Sequence, residues 1–165
     1  WFDQPYRKFF DLVLSGWYVH PKGASTRRSY GYVGNSVVQV LALLEAEDPP
    51  PPDEPYHLAD YDPVDIGMWA ALIAREAGHP RPREVPLALF RAAALAGDAM
   101  QRLGYRDPPM TSFRLRNMLT DAVLDTRAPR RLVPTLPKSM EEGVRDTLSW
   151  LEARRDGTMP QVVRR

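Results

Sequence analysis

The segment Arg27-Arg28-Ser29-Tyr30-Gly31-Tyr32-Val33-Gly34-Asn35 runs without a break into the apolar stretch Ser36 to Leu44. Aromatic and β-branched residues predict a short strand over Ser29 to Val33. Asn35 is a good N-cap for a helix over Ser36 to Ala46, because its side-chain oxygen can accept an otherwise unpaired amide of the first turn. A strand that passes at once into a buried helix, with two fixed cations at its mouth, is a way for a fold to present positive charge to an anion. The chain must therefore accommodate a strand and helix in direct succession, and the rest of the sequence has to pack around them.

The remaining pattern is mostly helical. Apolar residues recur at helical spacing from Pro5 to Ser15, and Gly16 suits the stop. Trp17-Tyr18-Val19-His20 predicts a strand ended by Pro21 and Gly23. Pro49 to Pro52 form an extended connector, and Tyr56-His57-Leu58-Ala59 is strand-like. Asp62 as cap with Pro63 at the first position predicts a helix whose apolar face is Ile66, Trp69, Ala70 and Ile73, closed by Gly78. A second long helix runs from Pro86 to Gly104, with Leu87, Phe90, Ala94 and Gly97 on a face that permits close packing. Ser112 to Leu119 and Thr126 to Leu132 read as helices, and Ala122 to Leu124 as a short strand. Ser139-Met140-Glu141-Glu142 is a capping box opening a last helix. The fold class expected is α+β, mostly helical with a few short strands. Residues 1–156 form the folded domain and 157–165 a loose basic tail.

At 165 residues, 44% hydrophobic and 26% charged, the chain can bury a sizeable core. A net charge of +1, from 22 basic and 21 acidic residues, gives no global field toward nucleic acid or membrane, so anion recognition has to be local. No apolar run approaches the roughly 20 residues of a spanning helix. With no cysteine, the chain has neither disulfides nor thiolate metal sites and fits a reducing compartment, with the cytoplasm as default. The chain opens at Trp1 directly into an amphipathic pattern, without a leader, and is expected to be part of a longer protein.

Complete catalytic machinery is missing from the sequence. His20, His57 and His79 are scattered singly, which is no metal-ligand pattern. There is no Gly-x-Ser-x-Gly elbow, no phosphate loop and no Gly-x-Gly-x-x-Gly; Gly31 to Gly34 has the wrong spacing. Asp60, Asp62 and Asp65 are better explained by helix capping than by a cation site. Tyr18-Val19-His20-Pro21-Lys22 spells Tyr-x-x-x-Lys, the acid/base pair of short-chain dehydrogenases, but Pro21 would break the helix that this pair needs. The arginines carry more. Arg28 lies near a strand start, and Arg114 and Arg116 lie two apart in a distant segment; two guanidinium forks could clamp a diphosphate, against the plainer alternative of solvated or ion-paired surface arginines.

Four stretches in order resemble the C-terminal half of extended short-chain dehydrogenase/reductases, the NAD-dependent epimerase/dehydratase family. Arg28-Ser29-Tyr30-Gly31-Tyr32-Val33-Gly34-Asn35 is similar to that family's Arg-Asp-Phe/Tyr-x-Tyr/His-Val-x-Asp motif, with Ser29 and Asn35 replacing its two acids. Tyr56 to Gly78 resembles its strand, acidic turn and helix. Leu124 to Leu132 resembles Asp-x-Ser-Lys-Ala-x-x-x-Leu-Gly, and Ser139 to Leu151 resembles Ser-Leu-Glu-Glu-Gly-Leu-x-x-Thr-x-x-Trp, with Glu142, Gly143 and Trp150 in register.

The resemblance implies a substrate-binding part whose N-terminal Rossmann half, with its dinucleotide loop and catalytic Tyr-x-x-x-Lys, is absent from this chain. It implies that Arg28 contacts a ligand diphosphate, that Arg114 or Arg116 supplies the second phosphate contact, and that Tyr18 to His20 border the base. NAD or NADP is the implied cofactor, bound mainly by the absent half, so no cofactor-binding, catalytic or metal-ligating residue is assigned. The implied substrate is a small molecule of the nucleotide-sugar class. The loss of two acids at Ser29 and Asn35, beside the basic loop Lys22 to Arg27, points away from an ordinary uridine-diphosphate sugar. Steroid and other carbonyl substrates stay open, as does a homodimer of the full-length protein. The alternative from another class is a small helical adaptor contacting protein or nucleic acid; the near-neutral charge counts against nucleic acid.

Overall fold

The structure, a computed structural model, describes residues 6–51 and 53–156. Among them the fold is α+β: about half of the chain is helical, and the strands are few and short. The chain divides into two compact units, each built from two separated stretches. One holds the chain up to Tyr30 together with Tyr61–Asp125; the other holds Gly31–Asp60 with the chain from Thr126 onward. No helix among the described residues is long and apolar enough to cross a membrane.

The first unit contains helices α1 (Tyr6–Leu14), α3 (Ile66–Glu76), α4 (Leu87–Arg102) and α5 (Ser112–Met118). Its strands are β1 (Val19–Pro21), β2 (Arg27–Arg28), β3 (Val64–Asp65) and β4 (Arg83–Val85). β1 runs parallel to β4 with His20 opposite Glu84, and β2 runs antiparallel to β3 with Arg27 opposite Asp65. Ala122 makes a single parallel bridge to Arg28, which is what remains of the strand expected over Ala122 to Leu124. Helices α1 and α3 share an aromatic core: Trp69 stacks on Phe9 at 5.0 Å, and Phe10 meets it edge-on at 5.8 Å. A second cluster joins Phe90 and Ala94 of α4 to Leu115 of α5. The close face expected on α4 is present. Gly97 abuts the backbone of Met110 so tightly that an added Cβ would lie 1.6 Å from the Met110 carbonyl oxygen.

The second unit contains α2 (Val33–Glu45), α6 (Arg127–Leu132) and α7 (Met140–Arg155). The expected capping box opens α7, with Glu142 N–H donating to Ser139 Oγ at 3.2 Å and Ser139 N–H to Glu142 Oε2 at 2.8 Å. Val144 and Leu148 of α7 are buried.

Several local expectations need correcting. The strand placed over Ser29 to Val33 is β2, earlier by two residues, because Arg27 and Arg28 pair with Val64–Asp65 while the chain turns into α2 at Val33. Asn35 is no cap. It lies inside the first turn of α2, buried, where its amide serves tertiary bonds instead, and Tyr32 occupies the cap position. The cap of α3 is Asp65, not Asp62: its carboxylate accepts from Met68 N–H at 2.9 Å, and Val64–Asp65 remain extended as β3. The strand over Trp17 to His20 is shifted to Val19–Pro21. Tyr56 to Ala59 joins no ladder among the described residues. Gly78, at φ +70°, does close α3. Pro5 and Pro52, and the tail 157–165, lie outside the described residues.

Candidate functional site

All five residues singled out in the sequence, Tyr18, His20, Arg28, Arg114 and Arg116, lie in the first unit. The start of β1 places His20 beside Tyr18, the residue that precedes the strand. The buried Tyr18 hydroxyl is 3.0 Å from His20 Nδ1, and His20 Nε2 is 3.0 Å from the Ala24 carbonyl. A carbonyl only accepts, so in the neutral imidazole the proton sits on Nε2 and Nδ1 accepts from the Tyr18 hydroxyl. The ring fits because residue 67 is glycine: a Cβ there would lie 2.8 Å from His20 Nε2. Tyr30 and Trp69 complete this region, their rings 4.4 Å apart.

The electrostatics argue against acid/base catalysis by Tyr18. Burial, reinforced by the Asp65 charge and by Tyr30, pushes its phenol from 10.0 up to about 12, whereas a catalytic tyrosine working near neutrality needs a lowered value. Tyr18 and Lys22 also share no helix, since Tyr18 precedes β1 and Lys22 follows it. The Asp65 carboxyl is under opposing influences. Burial raises it, but hydrogen bonds from Met68 N–H and Ser25, with His20 nearby, outweigh burial and hold it below the usual carboxylate range. Burial raises the Tyr30 phenol, and the Arg28 guanidinium pulls it partly back.

These shifts make a titration prediction. A phenol raised in the folded state contributes stability that is present below its unfolded value, 10.0, and is lost as pH rises through about 12. Tyrosinate absorbance should therefore show one tyrosine ionising well after the exposed ones, and Tyr18→Phe should remove that last step. A wild-type titration complete near pH 10 would contradict this.

Arg28 is anchored by one edge. Its Nη2 donates to the Asn117 carbonyl and, at 3.5 Å, to that of Thr120, the carbonyls at and beyond the C-terminal end of α5. Cations are favoured there by the helix dipole. Arg28 Nε is buried and makes no hydrogen bond. The neighbouring backbone is fixed from several sides: Ser29 N–H donates to Ala122 O and Ala122 N–H to Arg27 O, both at 2.9 Å. Arg27 N–H donates to Asp121 Oδ1 at 2.8 Å, and Leu124 N–H to Ser29 Oγ at 3.0 Å. Ser29 thus does bridging work that its residue type alone did not announce.

The other two arginines divide. Arg114 closes its fork on the chain itself, donating to Asp107 Oδ1 and the Pro108 carbonyl, each at 2.5 Å, and to the Pro109 carbonyl at 3.3 Å. Arg116 is exposed, and its side chain has no hydrogen bond or ion pair among the described residues. Two positions on a helix differ by about 200°, so the pair cannot act as one clamp. Of the two, Arg116 retains its donors. Asp65, Gly67 and Tyr30 were missed as site residues; the only sequence signal was a capping aspartate followed by glycine, which reads equally as a plain helix start.

The two glycines at the start of α2 do not serve a dinucleotide. A Cβ on Gly31 would meet Ser36 Oγ at 2.9 Å and the Leu58 carbonyl oxygen at 3.0 Å, and one on Gly34 would meet the Tyr32 ring at 2.7 Å. Both glycines make room for the chain itself, so Gly31 to Gly34 is no glycine-rich dinucleotide loop. No hydride step is assigned to this chain.

The fold defined by these elements is shared with a solved structure. The chain is similar to the crystal structure of gox2253, with a TM-score of 0.64 at 18% sequence identity, over 95% of this chain and 46% of that one. The chain thus spans about half the length of the structure it matches. No protein-family model and no curated protein matches the sequence.

Proposed function

We propose that this chain is the substrate-binding portion of an NAD(P)-dependent epimerase, dehydratase or reductase of the extended short-chain dehydrogenase type, acting in the cytoplasm on a nucleotide sugar. Cofactor and acid/base chemistry belong to a separate half, and this chain holds the substrate's phosphates. The observation that carries the proposal is Arg28. Its guanidinium is fixed against the end of α5 while Nε is buried with no acceptor. A buried donor left unpaired costs about 1–3 kcal/mol, which an anionic ligand oxygen would recover through a charge-assisted bond. Arg116, on the same helix end, is the second phosphate contact. The likeness over 95% of this chain but 46% of the matched one fits a part of a two-part protein.

The test is calorimetric titration of the 165-residue chain with a thymidine-diphosphate sugar and with duplex DNA. Arg28→Ala is expected to weaken sugar-nucleotide binding about tenfold or more, and Arg116→Ala by less, with DNA binding absent throughout. No turnover is expected from the chain alone. Unchanged sugar-nucleotide affinity in Arg28→Ala, or turnover by the purified chain, would sink the proposal.

A further inference from the structure

Helix α4 is apolar on two opposite sides. One side, with Phe90, Ala94 and Gly97, is buried against α5 and the Met110 backbone. The opposite side, at about 100° per residue, runs from Leu95 across four alanines to Leu89, and Leu103 continues it at the cap. It is exposed throughout, Leu89 at 59%, Leu95 at 67% and Leu103 at 88%. This arc of about 120° carries no polar side chain. A helix that is apolar on every side belongs under cover, and no described residue covers this one.

The charges around this side have one sign. Arg91 and Arg102 are exposed and lie next to Leu95 on the helix surface, Arg83 precedes the helix and Arg106 follows it. From Arg81 to Arg116 there are seven arginines against three acids, although the whole chain is near neutral at +1. Each of the three acids is engaged: Glu84 lies 3.6 Å from Arg81, Asp107 is closed on Arg114, and Asp98 Oδ1 accepts from Ser112 N–H at 3.0 Å. Arg83, Arg91 and Arg106 have no ion pair among the described residues. An apolar side bordered by arginines is the make-up of a helix lying in the plane of a membrane surface. Its leucines sink about 5–10 Å into the headgroup boundary while the arginine heads reach the lipid phosphates. We infer that α4 is a docking face for an anionic lipid surface. At 16 residues it lies along the bilayer and is too short to cross it, since a span needs roughly 20.

Charge complementarity selects this occupant. A second copy paired antiparallel across Leu95 would set Arg91 and Arg102 of each chain against alanines of the other, with no acid to face them. Nucleic acid would satisfy the arginines and leave the leucines in water. An anionic bilayer takes both, because its phosphates and its acyl chains lie one above the other. The chain also supplies a contrast within itself. Leu44 at the end of α2 is 76% exposed, yet Glu45, Glu47 and Asp48 follow it, so the same surface would repel that end. The inference uses neither Arg28 nor Arg116 and stands apart from the proposed substrate.

The chain has no cysteine, so a single introduced one takes a thiol label at one place. Leu95→Cys carrying a nitrobenzoxadiazole group should brighten and shift to the blue on vesicles of phosphatidylcholine with roughly one-third phosphatidylglycerol, and stay unchanged on phosphatidylcholine alone. The same label on Leu44→Cys should respond to neither. Cosedimentation of the unlabelled 165-residue chain with the anionic vesicles should weaken about twentyfold in Arg91→Gln/Arg102→Gln, at about fivefold per arginine. It should weaken about tenfold in Leu95→Gln/Leu103→Gln, which keeps every charge. Raising salt from about 0.1 to 1 M should act like the arginine pair. All four substitutions lie on the exposed side, and both double variants should keep the helix content and unfolding midpoint of the parent, which separates lost binding from lost fold. A silent label at position 95, an equal response to neutral vesicles, or full binding by the leucine pair would overturn the inference. So would a dimer in solution that the leucine pair splits, or a label at 95 already shielded, before vesicles are added, in the longest polypeptide that the gene encodes in frame.

Discussion

Gly97→Ala is expected to destabilise the chain by about 3 kcal/mol, at the upper end of what overpacking a single methyl costs. The added Cβ would overlap the Met110 carbonyl, at 1.6 Å from its oxygen and 2.8 Å from its carbon. Both are backbone atoms, so no rotamer change relieves the clash. Backing the 108–111 segment away from α4 is blocked by the next residue: Asp98 Oδ1 accepts from Ser112 N–H at 3.0 Å, and Thr111 Oγ1 caps α5 by accepting from Arg114 N–H at 3.2 Å. The Phe90, Ala94 and Leu115 cluster would open with it. Because the C-terminal end of α5 also anchors Arg28, Gly97→Ala should weaken sugar-nucleotide binding together with urea resistance. A loss below about 1 kcal/mol in denaturant unfolding would show that the segment gives way more easily than these bonds allow.

Asn35→Leu should cost a similar amount, about 3 kcal/mol, for a different reason: it leaves buried partners unpaired. Asp60 would lose one donor and keep only Tyr32 N–H, at 3.3 and 3.4 Å from its two oxygens, while the Lys138 backbone would lose both its acceptor and its donor. Burial already raises the Asp60 carboxyl, with the Asn35 and Tyr32 bonds opposing it. Removing Asn35 removes the larger opposition, so Asp60 in the variant should rise further. A carboxyl raised in the folded state is tolerated below its unfolded value and penalised as pH rises through the folded one. The deficit of Asn35→Leu should therefore shrink on acidification. A deficit that stays constant from neutral pH down through the carboxylate range would count against this account.

How much was legible follows from what each residue answers to. Elements governed by their own neighbours were readable: the capping box at Ser139, the stop at Gly78, and the small-residue face ending at Gly97. Elements governed by distant partners were not. Asn35 has the residue type of a cap, but bonds to Asp60 and Lys138 outweigh the contribution of about 1 kcal/mol that a cap makes. Asp62, followed by Pro63, reads as the cap by pattern; pairing of Val64–Asp65 with Arg27–Arg28 decides for Asp65. The same holds for the site. Arg28, Tyr18 and His20 are candidates by residue type, yet neither the Tyr18–His20 bond nor the closure of Arg114 on Asp107 could be read, since each depends on the backbone path between its partners.

The discontinuity of the two units sets an order of events during synthesis. The chain up to Asp125 supplies every segment of the first unit. At that moment α2 has emerged, but α6, α7 and the Lys138 backbone that hold Asn35 have not. At roughly 5–20 residues per second, the remaining residues take a few seconds to appear. Through that interval α2 keeps its Asn35–Asp60 and Gln39–Ala59 bonds but lacks the two Lys138 bonds that complete its anchoring. The nascent chain should thus be most open to chaperones after its first unit is complete, and a ribosome stall near Asp125 should yield the species most prone to aggregate.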